Sequence, residues 1–207
     1  MADRAVVIVV LRRRWESLLP GRDQLGSQLL ARWSEPHRHY HDLAHLSDAL
    51  TALDLLGPAS RSEEIALWFH DAVHTNSPGH DERLSAELAA RELPAAGMDA
   101  VDVAEVVRLV LVTIDHRPAP GDAAGARVSD ADLAILGADP DRYRASVQGL
   151  RAEAPAMDEA TWRASRRATL ATFAATRPLF HTALGTSWWE GPARANLAAE
   201  GEDYRKE

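Results

Sequence analysis

Apolar residues recur at three- and four-residue spacing along most of the chain, and the strict alternation of a half-buried strand is scarce. The pattern predicts helices over about 5–19, 23–33, 41–56, 61–75, 81–93, 99–115, 130–137, 140–153, 158–175 and 189–200. Several ends carry their own signals. Ser60 and Glu63 form a capping-box pattern before the apolar run Ile65 to Phe69. Gly57-Pro58 closes one helix, Pro94 and Gly97 separate two others, and Asp139-Pro140 puts a proline where its missing N–H costs nothing. Segment 117–128, rich in Pro, Gly and Ala, reads as the clearest loop. The expected fold is all-α, a compact multi-helix bundle. One domain is expected over 1–207, with a core over about 33–137 and helices of 140–200 packed onto it.

Composition narrows the function classes. The chain has 207 residues, 46% of them hydrophobic, enough for one helical core. Its formal net charge is −8, and its arginine clusters, Arg12 to Arg14 and Arg163 to Arg167, fall on helical patterns and read as solvated faces. A partner such as duplex nucleic acid is therefore not expected. With no cysteine, disulfides, thiolate metal sites and cysteine nucleophiles are excluded. The apolar run Ala5 to Leu11 is far shorter than the about 20 residues that span a bilayer. Arginines follow that run instead of preceding it, unlike a signal peptide. The expectation is a cytoplasmic protein with no membrane partner. Its oligomeric state stays open, a homodimer included.

The chemistry concentrates in three places. The segment 63–74 is apolar nearly all round, the mark of a helix buried inside a bundle, yet it carries His70, Asp71 and His74. A buried carboxylate costs several kcal/mol unless it is paired or bound to a cation. Four of the nine histidines, His37, His39, His41 and His45, lie together upstream. On a helix, the four-residue spacing of His41 and His45 puts them on one face. Asp130 and Asp132 then open a further helix. Imidazole and carboxylate ligands without sulfur suit Zn, Mn, Fe, Co, Ni or Mg, and favour an open catalytic site over a closed structural one.

The stretches Tyr40-His41-Asp42-Leu43-Ala44-His45, His70-Asp71 and Ala131-Asp132-Leu133 resemble the scattered H…HD…D signature of the HD superfamily. The first also resembles the Tyr-His-Asn-x-x-His motif of class I cyclic-nucleotide phosphodiesterases. The surroundings of all three, from about Trp33 to Ala193-Arg-Ala-Asn-Leu, are similar to a bacterial family described as predicted metal-dependent HD phosphohydrolases. The resemblance implies an HD-domain or phosphodiesterase-like bundle holding a divalent metal cation on His45, His70, Asp71 and Asp132. It implies His41 as general acid, with Asp71 also able to take a proton from attacking water. The phosphodiesterase Asn is Asp42 here, and Val73 replaces the second acid of His-Asp-x-Asp-His. The shared architecture is thus implied, and the cyclic-nucleotide substrate is not.

The expected function is a metal-dependent phosphohydrolase acting on a small-molecule phosphate substrate, a nucleotide or another small ester. A di-iron HD-type oxygenase and a non-catalytic metal-binding domain are the alternatives. Lesser candidates surround the site. Arg38 is a guanidinium fork for phosphate. His74 is placed to orient a ligand or touch phosphate. Glu82 sits on a polar edge with Ser85. His116 is a second-metal or phosphate group, or else a partner of its helix dipole. Asp130 rivals Asp132 as last ligand, or is an N-cap. Trp15, Trp33, Trp68, Trp162, Trp188 and Trp189 read as core.

Overall fold

The computed structural model describes residues 4–204, and among them every regular element is helical. The order is α1 (Arg4–Leu18), α2 (Asp23–Arg32), α3 (Leu43–Leu55), α4 (Arg61–Phe69), α5 (Asp81–Ala95) and α6 (Ala100–Val112). Then come α7 (Ala123–Leu133), a 3₁₀ turn (Ala134–Gly137), α8 (Pro140–Ala152), α9 (Glu159–Ala175) and α10 (Ala183–Asp203). The outermost ends of the expected 1–207 domain lie outside the described residues.

Helix α4 is the axis of the larger core and packs against α1, α3, α5, α6 and α7. Ile65 to Phe69 are fully buried, as the all-round apolar pattern requires. Both ends of α4 are fastened by side chains. At its start the Ser60–Glu63 capping box forms, and the buried Glu63 carboxylate also accepts from Arg127 Nε at 2.6 Å and Nη2 at 3.0 Å. At its end Arg38 donates to the carbonyls of Asp71 at 2.8 Å and His41 at 3.0 Å. A smaller apolar cluster, including Leu133, Leu136, Tyr143, Leu170, Phe180 and Leu197, joins the 3₁₀ turn to α8, α9 and α10. Trp189 packs against both clusters.

Several boundaries differ from the periodicity, and four of them are set by a single capping or loop-forming side chain. Helix α3 starts at Leu43, because Asp42 is its N-cap and accepts from the Ala44 and His45 amides. His41 therefore precedes the helix and does not share its face with His45. Helix α4 stops at Phe69 instead of 75, since Asp81 draws the following chain into a loop by accepting from the Thr75 and Ser77 amides. Helix α7 starts at Ala123, inside the expected loop, capped by Asp122 on the Gly125 amide. Asp130 and Asp132 thus lie near its end and not at its start. Helix α10 starts at Ala183, capped by Thr182. Two expectations about exposure also fail: Trp188 is 44% exposed, while Arg166 is buried against Glu200.

Helix α8 approaches the His39–His41 segment backbone to backbone. A Cβ on Gly149 would lie 2.7 Å from the His39 carbonyl oxygen. Gly149→Ala is therefore expected to cost about 1–3 kcal/mol, as overpacking typically does, seen as a lower urea midpoint. Gly191→Ala, where a Cβ meets nothing within 4 Å, is the control and should not destabilise.

Candidate metal centre

Three helices deliver four groups to one point. His45 lies in the first turn of α3, His70 and Asp71 at the C-terminal end of α4, and Asp132 in the last turn of α7. His45 Nε2 is 3.2 Å from His70 Nε2 and 3.1 Å from Asp132 Oδ1. His70 Nε2 is 3.4 Å from Asp132 Oδ1 and 3.0 Å from Asp71 Oδ2. Asp71 Oδ2 is 3.6 Å from His45 Nε2. The ligand atoms of His45, His70 and Asp132 are mutually within 4.8 Å, with Asp71 joining on the His70 side.

The donor set fits a cation. His70 Nδ1 lies 2.8 Å from the Leu67 carbonyl oxygen, so Nδ1 carries a proton and Nε2 faces the cluster. Both imidazoles are nearly inaccessible to solvent. Two Nε2 lone pairs at 3.2 Å beside two carboxylates repel unless a proton or a metal ion sits among them. Burial works against a charged His70, yet the Asp71 and Asp132 carboxylates overcome it and raise its pKa well above the imidazole range. Conversely, burial alone would raise both acids. His70 together with His41 lowers Asp71, and His70 together with His45 lowers Asp132. A bound cation would supply the positive charge that these acids otherwise draw from His70.

Beside this floor stands a second cluster that the sequence did not announce. Glu153, at the C-cap of α8, accepts on Oε1 from the amides of His39 at 2.8 Å, Tyr40 at 2.7 Å and His41 at 2.9 Å. Its Oε2 lies 2.7 Å from His41 Nδ1. Burial would raise this acid, but the bond from His41, the proximity of His74 and the bond from the Tyr40 amide hold it far below the usual carboxylate range. An ionised Glu153 makes His41 Nδ1 the protonated nitrogen and leaves Nε2 for other contacts. His74 Nε2 is 3.4 Å from Glu153 Oε2, off the line of a hydrogen bond, and has no other partner. The ligand atoms of His41, His74 and Glu153 also lie mutually within 4.8 Å. In sequence Glu153 looks like an ordinary solvated helix end; only its partners, 112 to 114 residues away, reveal it.

The remaining candidates take defined places. Arg38 is 5% exposed and its guanidinium is spent on Glu35 and on the carbonyls of His41, Asp71 and Ala72, so it braces the His70-Asp71 turn. Glu82 accepts from the Gly79 amide, and burial raises its pKa. His116, whose φ of 53° is left-handed, puts Nε2 3.9 Å from Asp132 Oδ2, and burial lowers its pKa. His74 and His116 belong to different clusters. Asp130 is fully buried and faces α10, accepting from the His181 and Thr182 amides and from Thr182 Oγ1. Asp132 is thus the acid that joins the histidines, and Asp130 ties α7 to the start of α10.

A cavity of about 210 Å³ opens onto both clusters. His41, His45, Asp71, Glu82, His116 and Asp132 line it together with Leu136, Tyr143, Leu150, Arg166 and Phe173. A wider cleft of about 510 Å³ between α1 and α3 contains none of the four converging groups. No helix among the described residues is long and apolar enough to cross a membrane. Compared with protein-family models, curated proteins and solved structures, the chain matches none.

Two outcomes follow. Asp130→Ala should cost roughly 1–3 kcal/mol, since it strands buried amides, while metal binding measured by equilibrium dialysis persists; Asp132→Ala should show the reverse order of effects. The lowered pKa of Glu153 means that its stabilisation is complete above the ordinary glutamate range and is lost as pH falls toward its depressed folded value. Glu153→Gln should therefore melt below wild type at pH 7. In metal-free protein, that gap should narrow by about 1.4 kcal/mol per pH unit below about pH 4.

Proposed function

We propose that the chain is a metal-dependent phosphohydrolase of the HD type, acting on a small phosphate ester. The observation that carries this reading is the convergence of His45, His70, Asp71 and Asp132 at one wall of a cavity that His41 also lines. Their order along the chain, H…HD…D, is the one the HD superfamily resemblance implies. When bound there, a divalent cation would polarise a phosphoryl oxygen and lower the pKa of a water.

The chain's own groups supply the rest. Asp71, kept ionised by His70 and His41, is a proton acceptor for the attacking water. Glu153 fixes the His41 ring through Nδ1, so Nε2 can deliver a proton to the leaving oxygen. Arg38 holds the carbonyls on either side of this pair and so sets the spacing between acid and acceptor. Leu136, Leu150 and Phe173 in the cavity lining suit an apolar portion of the ester. A cavity of about 210 Å³ favours a compact substrate, since pockets for drug-sized ligands run to roughly 300–1,000 Å³. The net negative charge of the chain is no obstacle, because a cation dominates the field at the wall.

A panel of small phosphate esters and nucleotides, assayed with Mn²⁺, Co²⁺, Mg²⁺ and Zn²⁺, tests the reading. His41→Ala should lose about 10²–10⁴-fold in kcat while retaining metal at the His45–His70–Asp71–Asp132 wall, the range of general acid–base catalysis. His70→Ala should lose the metal held at this wall together with the melting-temperature rise that it confers. Full turnover in Asp71→Ala, with metal still bound, would overturn the assignment.

A further inference from the structure

The pair His41–Glu153 explains only part of the second cluster. His74 remains: its side chain is 8% exposed, and its Nε2 is one of the buried polar atoms without a hydrogen-bond partner. A buried nitrogen in that condition forfeits its solvation and receives nothing in return. It is not there by accident of a loose loop. His37 stacks parallel to it with ring centroids 6.0 Å apart and donates from Nε2 to the His74 carbonyl at 2.9 Å. The same ring also meets His41, with centroids 4.4 Å apart. The unpartnered nitrogen is thus held pointing at Glu153 Oε2.

That oxygen is itself fixed in place. Three amides grip Oε1, so the carboxylate cannot turn, and Oε2 is presented to both rings at once. Zinc-type ions bind nitrogen and oxygen at about 2.0–2.2 Å, which sets tetrahedral ligand edges of roughly 3.3 Å. The His74–Glu153 edge of 3.4 Å already has that length. The His41–Glu153 edge of 2.7 Å has the length of a shared proton and must open slightly to admit an ion.

We propose that His41 Nδ1, His74 Nε2 and Glu153 Oε2 form a second transition-metal site, weaker than the His45–His70–Asp71–Asp132 wall and sharing no ligand with it. Two imidazoles and one carboxylate take Zn²⁺, Co²⁺ or Ni²⁺ in preference to Mg²⁺ or Ca²⁺, and leave a position for water or an anion. The site is weaker because the ion must displace the proton that His41 and Glu153 share. An ion on Nδ1 and a doubly protonated His41 ring exclude one another. If the phosphohydrolase reading holds, filling this site removes the acid, and excess metal brakes turnover.

The test needs no substrate. Metal-free protein is titrated with Co²⁺, followed by visible absorption and by dialysis with elemental analysis. Wild type should take two equivalents, the second with its own d–d band. His74→Ala and His74→Asn should stop at one equivalent, the second weakened about 100-fold or more, the upper end of what even supporting groups contribute to metal affinity. Asp132→Ala should lose the tighter equivalent and keep the weaker, so failure of either site is seen apart from the other. Far-UV circular dichroism verifies that each variant is folded. Wild type that saturates at one equivalent overturns the proposal, as does a second equivalent that survives in both His74 variants.

Discussion

The structure is organised around an electrostatic demand: two imidazole nitrogens and two carboxylates are brought within about van der Waals contact where little water reaches. Such an arrangement opposes folding by itself, because desolvating charges costs several kcal/mol per ion. The helices around it hold the groups in place against that cost. Asp42 caps α3 so that His45 faces inward, the Glu63–Arg127 pair anchors the start of α4, and Arg38 ties down its end. Trp33, fully buried, lies beside both His45 and His70, limiting the freedom of either ring.

The molecule divides this work between its two apolar clusters. The larger, centred on α4, supplies the four converging groups and the packing that fixes them. The smaller, built by the 3₁₀ turn and α8 to α10, supplies apolar lining of the cavity and carries Glu153 to the His39–His41 segment. Asp130 links the two from the inside, two residues before Asp132, by holding the first residues of α10. The four converging groups and the helices of the smaller cluster are therefore fastened to each other through one helix turn.

Much of the helical architecture is legible in the sequence because local chemistry decides it. Ser60 and Glu63 announce the start of α4, and Asp139-Pro140 the start of α8. The ends of α4 and α7 are not legible, because distant partners set them. Apolar spacing carries α4 on to residue 75, but Asp81 and Arg38 claim the backbone groups that a longer helix needs. The Ala-Gly start of α7 has a weak helical signal of its own, and the Arg127–Glu63 pair holds it to α4. The same distinction runs through the site. His45, His70, Asp71 and Asp132 stand out as polar groups in apolar or patterned surroundings. Glu153 does not, since its whole significance lies in what it meets after folding. Asp130 and Asp132 look alike in sequence, and only the position of α10 separates a tether from a neighbour of the two histidines.

The distance along the chain between His41 and its carboxylate has a consequence for biosynthesis. The segment bearing His39 to His41 is synthesised more than a hundred residues before Glu153 is added. Until then three amides and an imidazole lack the acceptor that orders them, so a nascent chain can assemble the α4 layer but cannot finish this corner. A fragment ending before α8 would fold, at best, to a half-built vessel with the histidine loop unfastened. Release of an incomplete chain therefore yields a protein that cannot orient His41.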